Sequence, residues 1–318
     1  TRVRSSAASD VYKRQVNKYY QEMNANPFRG VYELSEIATE SYENARKAVA
    51  QFIGAKDASQ IVFTRNATES LNLIAYSYGM NFIKEGDEIV VSVMEHHSNF
   101  LPWKQVAEKC GAVLKQLTPD ENGEITDKSL EVITDKTRLV AVTQVSNVLG
   151  RVNDIKHIAE VAHAHGAVIV ADGAQSVPHM PVNVTDLDVD FLVFSGHKML
   201  APMGIGALYG KKELLDKMPP FLSGGEMIEI VHWDRVKYAE VPHKFEAGTV
   251  NTGGAVGLHA AIDYINNVGF DTIMAQERKL TKIAVDAIND MKGVNLIGSS
   301  KAEDHEGIVT FTIDGVHP

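Results

Sequence analysis

Hydrophobic residues along the chain recur at two spacings, one typical of helices and one typical of buried strands. The clearest helical pattern runs from Ser35 to Phe52, and Gly54 follows as a stop signal. After it, short apolar runs alternate with helical patterns. The runs are Ile61–Phe63, Ile89–Val93, Val113–Leu117, Leu139–Val142, Ala167–Ala171, Phe191–Phe194 and Ile205–Tyr209.

Several of these runs are nearly continuous in Val, Ile and Leu, as is typical of strands buried on both faces. Strands that alternate with helical stretches pair in parallel, through right-handed crossovers. The pattern therefore predicts an α/β fold with a mainly parallel sheet flanked by helices.

The alternation of short apolar runs and helical patterns changes near residue 260, which predicts a second domain. A long helical stretch from Gly253 to Met291, with a break near Gly269, precedes the strand-like runs Val294–Ile297 and Ile308–Ile313. We therefore expect a large domain over residues 16–260 and the start of a small α+β domain over 261–318. Because a strand and a turn are an unusual end for a fold, we expect a C-terminally truncated fragment.

Residues 1–15 differ from the rest of the chain. They carry four basic groups and one acidic group, without the apolar core of a signal peptide. We interpret them as an atypical N-terminal extension. A non-native origin is the favoured explanation, and an organelle transit peptide is the alternative.

Composition and charge narrow the class of protein. The chain has 318 residues, of which 44% are hydrophobic and 23% charged, and 31 basic against 41 acidic side chains leave a net charge of −10. Such an acidic protein is poorly suited to nucleic acid, and no apolar stretch is long enough to span a membrane. The single cysteine, Cys110, favours a reducing cytoplasmic setting. We expect a cytoplasmic protein that acts on a small molecule.

Polar, chemically specific residues follow five of the predicted strands. Ligands of open parallel sheets bind beyond the carboxyl ends of the strands, so these segments point to one site. They are Thr64–Glu69, Glu95–Asn99, Ser146–Asn147, Asp172–Gln175 and Ser195–Lys198.

Asp172 and Lys198 carry the most specific chemistry among these segments. Asp172 ends a strongly apolar strand, so its carboxylate either caps the next helix or faces a cation such as a protonated pyridine nitrogen. Lys198 follows the next apolar strand. It is either a solvated surface charge or a desolvated amine poised to form an imine with an aldehyde.

Thr68 lies where a strand turns into a helix, which suggests a phosphate site. Free N–H groups at a helix N-terminus plus a hydroxyl can cradle a phosphate, and Ser195 and His197 could add donors. Simple N-capping by Thr68 or Asn66 is the alternative.

The histidine pairs do not indicate a metal. His96 with His97, and His163 with His165, have no matching Cys, Asp or Glu at the spacing of a metal motif. A flat imidazole stacked on a cofactor ring suits His96 better. Cys110 ends a helix just before Gly111, and we interpret it as structural.

Taken together, these segments resemble the class V aminotransferase group of fold-type I pyridoxal phosphate (PLP) enzymes, and most closely the SufS-type cysteine desulfurases. The resemblance covers roughly residues 28–318. It is carried, in order along the chain, by Arg65–Ser70, Glu95–Asn99 with Pro102 and Trp103, Ser146–Gly150, Asp172–Ser176, Ser195–Lys198 and Phe245–Thr249.

The resemblance implies a role for each residue around the cofactor ring. Lys198 would form the covalent imine with the cofactor aldehyde, and Asp172 would pair with the pyridine nitrogen. His96 would stack on the ring, Gln175 would contact the ring hydroxyl, and Asn147 would lie on the substrate side.

The resemblance also implies how the phosphate is held. Thr249 would reach the partner subunit's phosphate in a homodimer with a shared active site. The remaining phosphate contacts would come from Ala67, Thr68, Ser195 and His197.

The implied reaction converts L-cysteine to L-alanine and passes sulfur, through an enzyme persulfide, to an acceptor protein for iron–sulfur cluster assembly. Lys198 would remove the α-proton.

Family members carry the nucleophilic cysteine and a substrate-binding arginine in a segment beyond residue 318. Phe28 and Leu200-Ala201 also depart from common family residues. The alternatives are a selenocysteine lyase, a transaminase or epimerase of the same class, and a non-catalytic cofactor-binding fragment.

Overall fold

The computed structural model describes the backbone of residues 2–317 and the side chains from Asp10 to His317. The helices and strands below are those of the described residues. The helices are α1 (Arg2–Lys18), α2 (Glu33–Phe52), α3 (Ala67–Ile74), α4 (Met80–Phe82), α5 (Leu101–Cys110), α6 (Asp127–Leu130), α7 (Ile155–Ala164), α8 (Val184–Leu187), α9 (Lys212–Lys217), α10 (Thr252–Val268) and α11 (Phe270–Asn289). The strands are β1 (Ile61–Thr64), β2 (Glu88–Ser92), β3 (Val113–Leu117), β4 (Thr137–Thr143), β5 (Val168–Asp172), β6 (Phe191–Ser195), β7 (Gly206–Gly210), β8 (Ile228–Val231), β9 (Val236–Tyr238), β10 (Val294–Leu296) and β11 (Phe311–Ile313).

The chain divides into two compact units. The first contains the residues up to Phe82, Val182–Asp186 and Asp190–Asn267. The second contains Ile83–Pro181, Leu187–Val189 and the residues from Val268 onward. The domain boundaries expected from the sequence, at residues 15/16 and 260/261, stay predictions.

In the first unit, β7 lies between β1 and β6 and pairs with both antiparallel. The expectation of parallel pairing is wrong for these strands. Only residues 196–205, which hold one 3₁₀ turn (Gly196–Lys198), connect β6 to β7. A parallel pair needs a crossover of a dozen or more residues, so this short connection returns the chain antiparallel.

In the second unit the prediction of a parallel sheet is confirmed. The strands lie in the order β5–β4–β2–β3, and all three pairings are parallel. Strands β2 and β4 are buried along almost their whole length, as their continuous apolar runs predict. Helices α5 and α7 make the connections that lead into β3 and β5.

The helical predictions are confirmed at both ends of the chain. Helix α2 buries Ala38, Tyr42, Ala45 and Val49 along one stripe. Gly269, at φ +81°, separates α10 from α11 at the predicted break. Helix α5 ends at Cys110, and Gly111 provides the left-handed cap.

The sequence pattern missed the β8–β9 hairpin. All of β9 and most of β8 are exposed, including the side chains of Ile230, Val231 and Val236. These strands therefore lack the alternation that a half-buried strand shows. The predicted pair near the end of the chain forms as β10–β11, which is antiparallel.

Candidate active site

The N-terminus of α3 presents donors at the end of β1. Asn66 is the cap, since its Oδ1 accepts the backbone N–H of Glu69 at 3.0 Å. The cap is thus Asn66 rather than Thr68. Within the described residues, the hydroxyl of the exposed Thr68 makes no hydrogen bond, so it remains available to an anion at this helix end.

Strand β6 ends against the same helix terminus. The backbone N–H of Ala67 donates to Ser195 Oγ at 2.9 Å. This contact depends on Gly206, which pairs with Thr64 on one side and Ser195 on the other. A Cβ at Gly206 would lie 2.7 Å from the Cα of Asn66. The glycine therefore lets the α3 terminus approach the start of β7 closely.

Lys198 lies on the 3₁₀ turn that follows Ser195. The turn is held by the N–H of Gly196, which donates to the carbonyl of Ile205 at 2.9 Å, and by the N–H of Ala201, which donates to the carbonyl of Gly196 at 3.0 Å. Lys198 is half-buried and its neighbour His197 is exposed. Among the described residues the Lys198 ammonium has no hydrogen-bond or ion-pair partner. Its Nζ is therefore not held in an ion pair, which leaves the amino group available to an aldehyde.

Thr249 is exposed on the loop between Glu246 and α10. The loop is fixed on both sides of Thr249 within the first unit. Gly248, at φ +86°, donates its N–H to the carbonyl of Gly225 at 2.9 Å. Asn251 Nδ2 donates to the carbonyl of Gly204 at 2.9 Å. The Thr249 hydroxyl is thus presented on an ordered loop.

A buried ion pair that the sequence analysis missed fixes the start of this loop. Arg46 donates to the two carboxylate oxygens of Glu246 at 2.6 and 2.8 Å. Glu246 also accepts the backbone N–H of Phe63 at 2.6 Å and the Tyr42 hydroxyl at 3.0 Å. Burial and the neighbouring Glu246 carboxylate raise the pKa of Tyr42 well above its usual range. The sequence feature that could have indicated this ion pair is the charged residue at position 46, which lies on the apolar stripe of α2.

Asp172 lies at the buried end of β5 in the second unit. Its side chain is only 4% exposed, and its Oδ1 accepts the N–H of Ala174 at 2.9 Å. This is a contact within a turn, and among the described residues no helix begins after Asp172 until α8 at Val184, so the expectation of a helix cap is wrong. Thr143 pairs with Asp172 in the sheet. A carboxylate in this setting favours a cationic partner, as the sequence analysis expected.

His96 follows β2 and is exposed. Its Nδ1 accepts the backbone N–H of Ser98 at 3.2 Å and lies 2.8 Å from the Ser98 hydroxyl. Because an N–H can only donate, Nδ1 is the acceptor and the neutral ring carries its proton on Nε2. The imidazole is therefore held in one tautomer.

Glu95, directly before His96, has a perturbed carboxyl group. Burial raises its pKa to about 8, and the nearby Asp172 carboxylate adds to the rise. Glu95 accepts hydrogen bonds from Ser92, Asn99 and the backbone of Thr143. No role for Glu95 followed from its place in the sequence.

Gln175 and Asn147 are half-buried in the second unit. Gln175 lies three residues after Asp172. Asn147 lies in a turn in which the N–H of Gly150 donates to the carbonyl of Ser146 at 2.9 Å. Residues from the end of the chain brace this turn, since the Thr310 hydroxyl donates to the carbonyl of Val148 at 2.6 Å.

The donor chemistry of these residues fits PLP. The first unit offers a helix N-terminus, hydroxyls and an amine without an ion-pair partner among the described residues. These suit a phosphate and an aldehyde. The second unit offers a buried carboxylate and a flat neutral imidazole, which suit a cationic aromatic ring.

No group of three His, Cys, Asp or Glu side chains within the described residues has the arrangement of a metal site. No helix in that part of the chain is long and apolar enough to cross a membrane.

Comparison with known proteins agrees with this chemistry. Residues 5–318 match the family "Aminotransferase class-V". A probable cysteine desulfurase of Halalkalibacterium halodurans is 47% identical over 304 residues, which cover 95% of this chain and 74% of that protein.

Solved structures show the same fold. The apo cysteine desulfurase of Thermococcus onnurineus NA1 superposes with a TM-score of 0.91 at 42% identity, covering 97% of this chain and 77% of that one. A C-DES variant with glycine covalently linked to its PLP cofactor has a TM-score of 0.82 at 22% identity, covering 97% of this chain and 80% of that one. The predicted fold class is confirmed.

Proposed function

The chain belongs to the class V aminotransferase family as a PLP-dependent enzyme of the cysteine desulfurase kind, and on this premise we propose a role for each site residue. Lys198 bonds to the cofactor aldehyde, and Asp172 holds the proton of the pyridine nitrogen. His96 covers the ring face and Gln175 meets the ring hydroxyl. The phosphate ligands are Ala67, Thr68, Ser195 and His197.

We further propose L-cysteine as the substrate and L-alanine as the product, with Asn147 on the substrate side. The sulfur is taken up as a persulfide by the cysteine that family members carry in a segment beyond residue 318, and passes from there to an acceptor protein for iron–sulfur cluster assembly. The protein acts as a cytoplasmic homodimer, in which Thr249 reaches the partner subunit's phosphate. The ordered loop around Thr249 and its exposed hydroxyl support this last assignment.

Each residue contributes through an atom whose surroundings suit its task. When bound, PLP supplies an electron sink conjugated to the α-carbon of the amino acid. The Nζ of Lys198 has no carboxylate partner among the described residues, so it can take up the α-proton and release it. The buried Asp172 carboxylate stabilises a positive charge placed beside it. The His96 ring, neutral with Nε2–H, offers a flat face and one donor.

The observation that carries the proposal is the contact between Ala67 and Ser195. It brings the helix N-terminus to the end of the strand that leads into the Lys198 turn. A phosphate site at α3 and an amine on the turn after β6 match the phosphate and the aldehyde of PLP.

The test is to reconstitute the purified chain with PLP and then reduce it with borohydride. We expect a yellow absorbance band in the wild type, and after reduction a PLP-sized mass increase on the peptide that contains Lys198. Lys198→Ala should lose both signals, because no other amine holds that position. Lys217→Ala, an exposed lysine of the same unit, should keep both. A wild type without colour, or a label on another lysine, would refute the assignment.

A further inference from the structure

A chain of hydrogen bonds runs beneath the loop that carries His96. The indole N–H of Trp103 donates to Asn99 Oδ1 at 2.9 Å, and Asn99 Nδ2 donates to Glu95 Oε2 at 2.5 Å. Trp103 and Asn99 are both fully buried. Glu95 Oε1 in turn accepts the Ser92 hydroxyl at 2.5 Å and the backbone N–H of Thr143 at 2.8 Å.

Chemistry fixes the direction of the bonds that join Trp103, Asn99 and Thr143 to this chain. An indole N–H can only donate, so the oxygen of the Asn99 amide must face Trp103. The nitrogen of that amide then faces Glu95, which must accept. The backbone N–H of Thr143 can also only donate. Position 95 therefore needs two accepting oxygens, which a carboxyl group provides and an amide does not.

These bonds tie the His96 loop to two strand ends. Ser92 ends β2 and Thr143 ends β4. Glu95 connects both to the 3₁₀ turn His97–Asn99, whose N–H from Asn99 donates to the carbonyl of His96 at 2.8 Å. His96 itself is exposed, and within the described residues its ring has contacts only in its own loop, with Ser98 and with the neighbouring His97 ring. The position of the imidazole thus depends on how firmly the loop is held.

We propose that Glu95 is a positioning residue that locks the loop beneath His96, so that the imidazole meets the cofactor ring in one place and one tautomer. This inference deepens the proposed function and rests on it. Glu95 acts through His96 and does not itself touch the cofactor.

The charge balance of the second unit supports this role. Burial raises the pKa of Glu95 to about 8, so its carboxyl group is mostly protonated at neutral pH. In its neutral form Glu95 donates its own proton to the Ser92 oxygen, which reverses that one bond, and still accepts from Asn99 and Thr143. It can therefore hold the loop without placing a second negative charge beside Asp172. Asp172 then remains the carboxylate that faces the cation.

The hydrogen bond from Asn99 to Glu95 can be reversed by substitution, and this provides a test. In Glu95→Gln, one oxygen of the carboxyl group is replaced by an N–H donor. In either orientation of the new amide, this donor faces another donor, which is the N–H of Asn99 or that of Thr143. In Glu95→Gln with Asn99→Asp, the new carboxylate accepts from both Trp103 and the amide introduced at position 95, and every donor again meets an acceptor. We therefore expect the single variant to loosen the loop and the double variant to restore it.

Two readouts are measured on purified protein. Without cofactor, amide hydrogen exchange at residues 95–99 and the ¹⁵N shifts of the His96 ring report the loop and the tautomer. With cofactor, a PLP titration gives the dissociation constant. We expect Glu95→Gln to raise the exchange rate at residues 95–99 about tenfold and the dissociation constant for PLP about tenfold. An effect of this size is expected when one hydrogen bond of the network is lost. The double variant should return both to within about threefold of the wild type.

The controls separate this role from a general loss of stability. Glu108→Gln removes an exposed carboxylate from the same unit and should change neither readout. Ser92→Ala removes one of the three bonds of Glu95, together with the bond that the N–H of Met94 donates to the Ser92 hydroxyl at 3.2 Å, and should give a smaller rise in exchange at 95–99. It remains informative if Glu95→Gln fails to fold.

Three results would overturn the proposal. They are unchanged exchange in Glu95→Gln, a double variant no better than the single one, and unchanged exchange in Ser92→Ala. If the wild type does not bind PLP, the proposed function fails instead. The exchange and tautomer data on the cofactor-free protein still decide the role of Glu95.

Discussion

At the scale of single residues, two carboxyl groups of the second unit are set apart by what surrounds them. Asp172 is buried at the end of β5 and accepts a backbone N–H on one oxygen. Glu95 is desolvated and lies near enough to Asp172 for their charges to oppose each other. Both effects favour the protonated form of Glu95, whereas we propose that Asp172 faces the positive charge of the cofactor ring. Two acids with different tasks are common in active sites.

The perturbed Glu95 predicts a pH dependence of stability in the cofactor-free protein. Its pKa is raised to about 8 in the folded chain, from an ordinary value of 4.5. Between these values the folded state holds a proton that the unfolded state has lost. The contribution of Glu95 to stability is therefore complete below pH 4.5, falls as the pH rises, and levels off above about pH 8.

Urea denaturation at several pH values between 5 and 8 measures this slope. Glu95→Gln has no proton to lose, so its free energy of unfolding should fall less steeply with pH than that of the wild type. Glu108→Gln should keep the wild-type slope. Parallel curves for wild type and Glu95→Gln would mean that Glu95 titrates near its ordinary pKa.

At the scale of elements, the Arg46–Glu246 pair joins α2, β1 and the loop that leads to Thr249. Arg46 is 1% exposed and also donates to the carbonyl of Ile61 at 2.9 Å. Its guanidinium lies 5.0 Å from the ring centre of Tyr42 and 4.9 Å from that of Phe63. Arg46 also pairs with the less buried Glu43, but within the described residues Arg46 is the one cation paired with Glu246, so the buried Glu246 carboxylate depends on it.

Arg46→Met should therefore destabilise the chain strongly, by about 3–5 kcal/mol, because it leaves the Glu246 carboxylate buried without its cation. Arg46→Met with Glu246→Gln should cost less, since the amide oxygen still accepts the N–H of Phe63 and no charge is buried. Chemical denaturation at pH 7 gives both values. Equal losses in the two variants would show that the contacts of the arginine side chain, rather than its charge, provide the stability.

At the scale of the whole molecule, the sequence predicted the elements better than their directions. The strands with continuous apolar runs all form, because burial on both faces requires that composition. The antiparallel course of β7 escaped prediction because it depends on a short connection, residues 196–205, that holds no complete helix. The β8–β9 hairpin escaped because its strands are exposed.

The sequence suggests candidate site residues where one residue carries one chemistry. Lys198, Asp172 and Thr68 are each proposed from the strand or helix end at which they lie. Glu95 and Arg46 were not given roles, because their importance comes from partners that are distant along the chain. The Glu95 bond to Thr143 spans 48 residues and the Arg46 bond to Glu246 spans 200. Periodicity alone does not show such pairings.

Cofactor binding should stabilise the folded chain as a whole. A ligand that binds only the folded state adds about 2.7 kcal/mol when its free concentration is 100 times the dissociation constant. The urea midpoint of the wild type should therefore rise with added PLP, and that of Lys198→Ala should rise less. Pyridoxal, which lacks the phosphate, should stabilise less than PLP because it leaves the α3 terminus without an anion. Equal shifts with both compounds would contradict a phosphate site at Thr68.

The two tryptophans of the chain differ in their exposure to solvent. Trp103 is fully buried in the second unit, and Trp233, at the tip of the exposed hairpin in the first, is fully accessible. Their fluorescence should separate accordingly. Trp103 should emit at shorter wavelength and resist iodide, whereas Trp233 should emit at longer wavelength and be quenched by it. The native protein thus carries one optical reporter in each unit, and Trp103 is hydrogen-bonded to the network under His96.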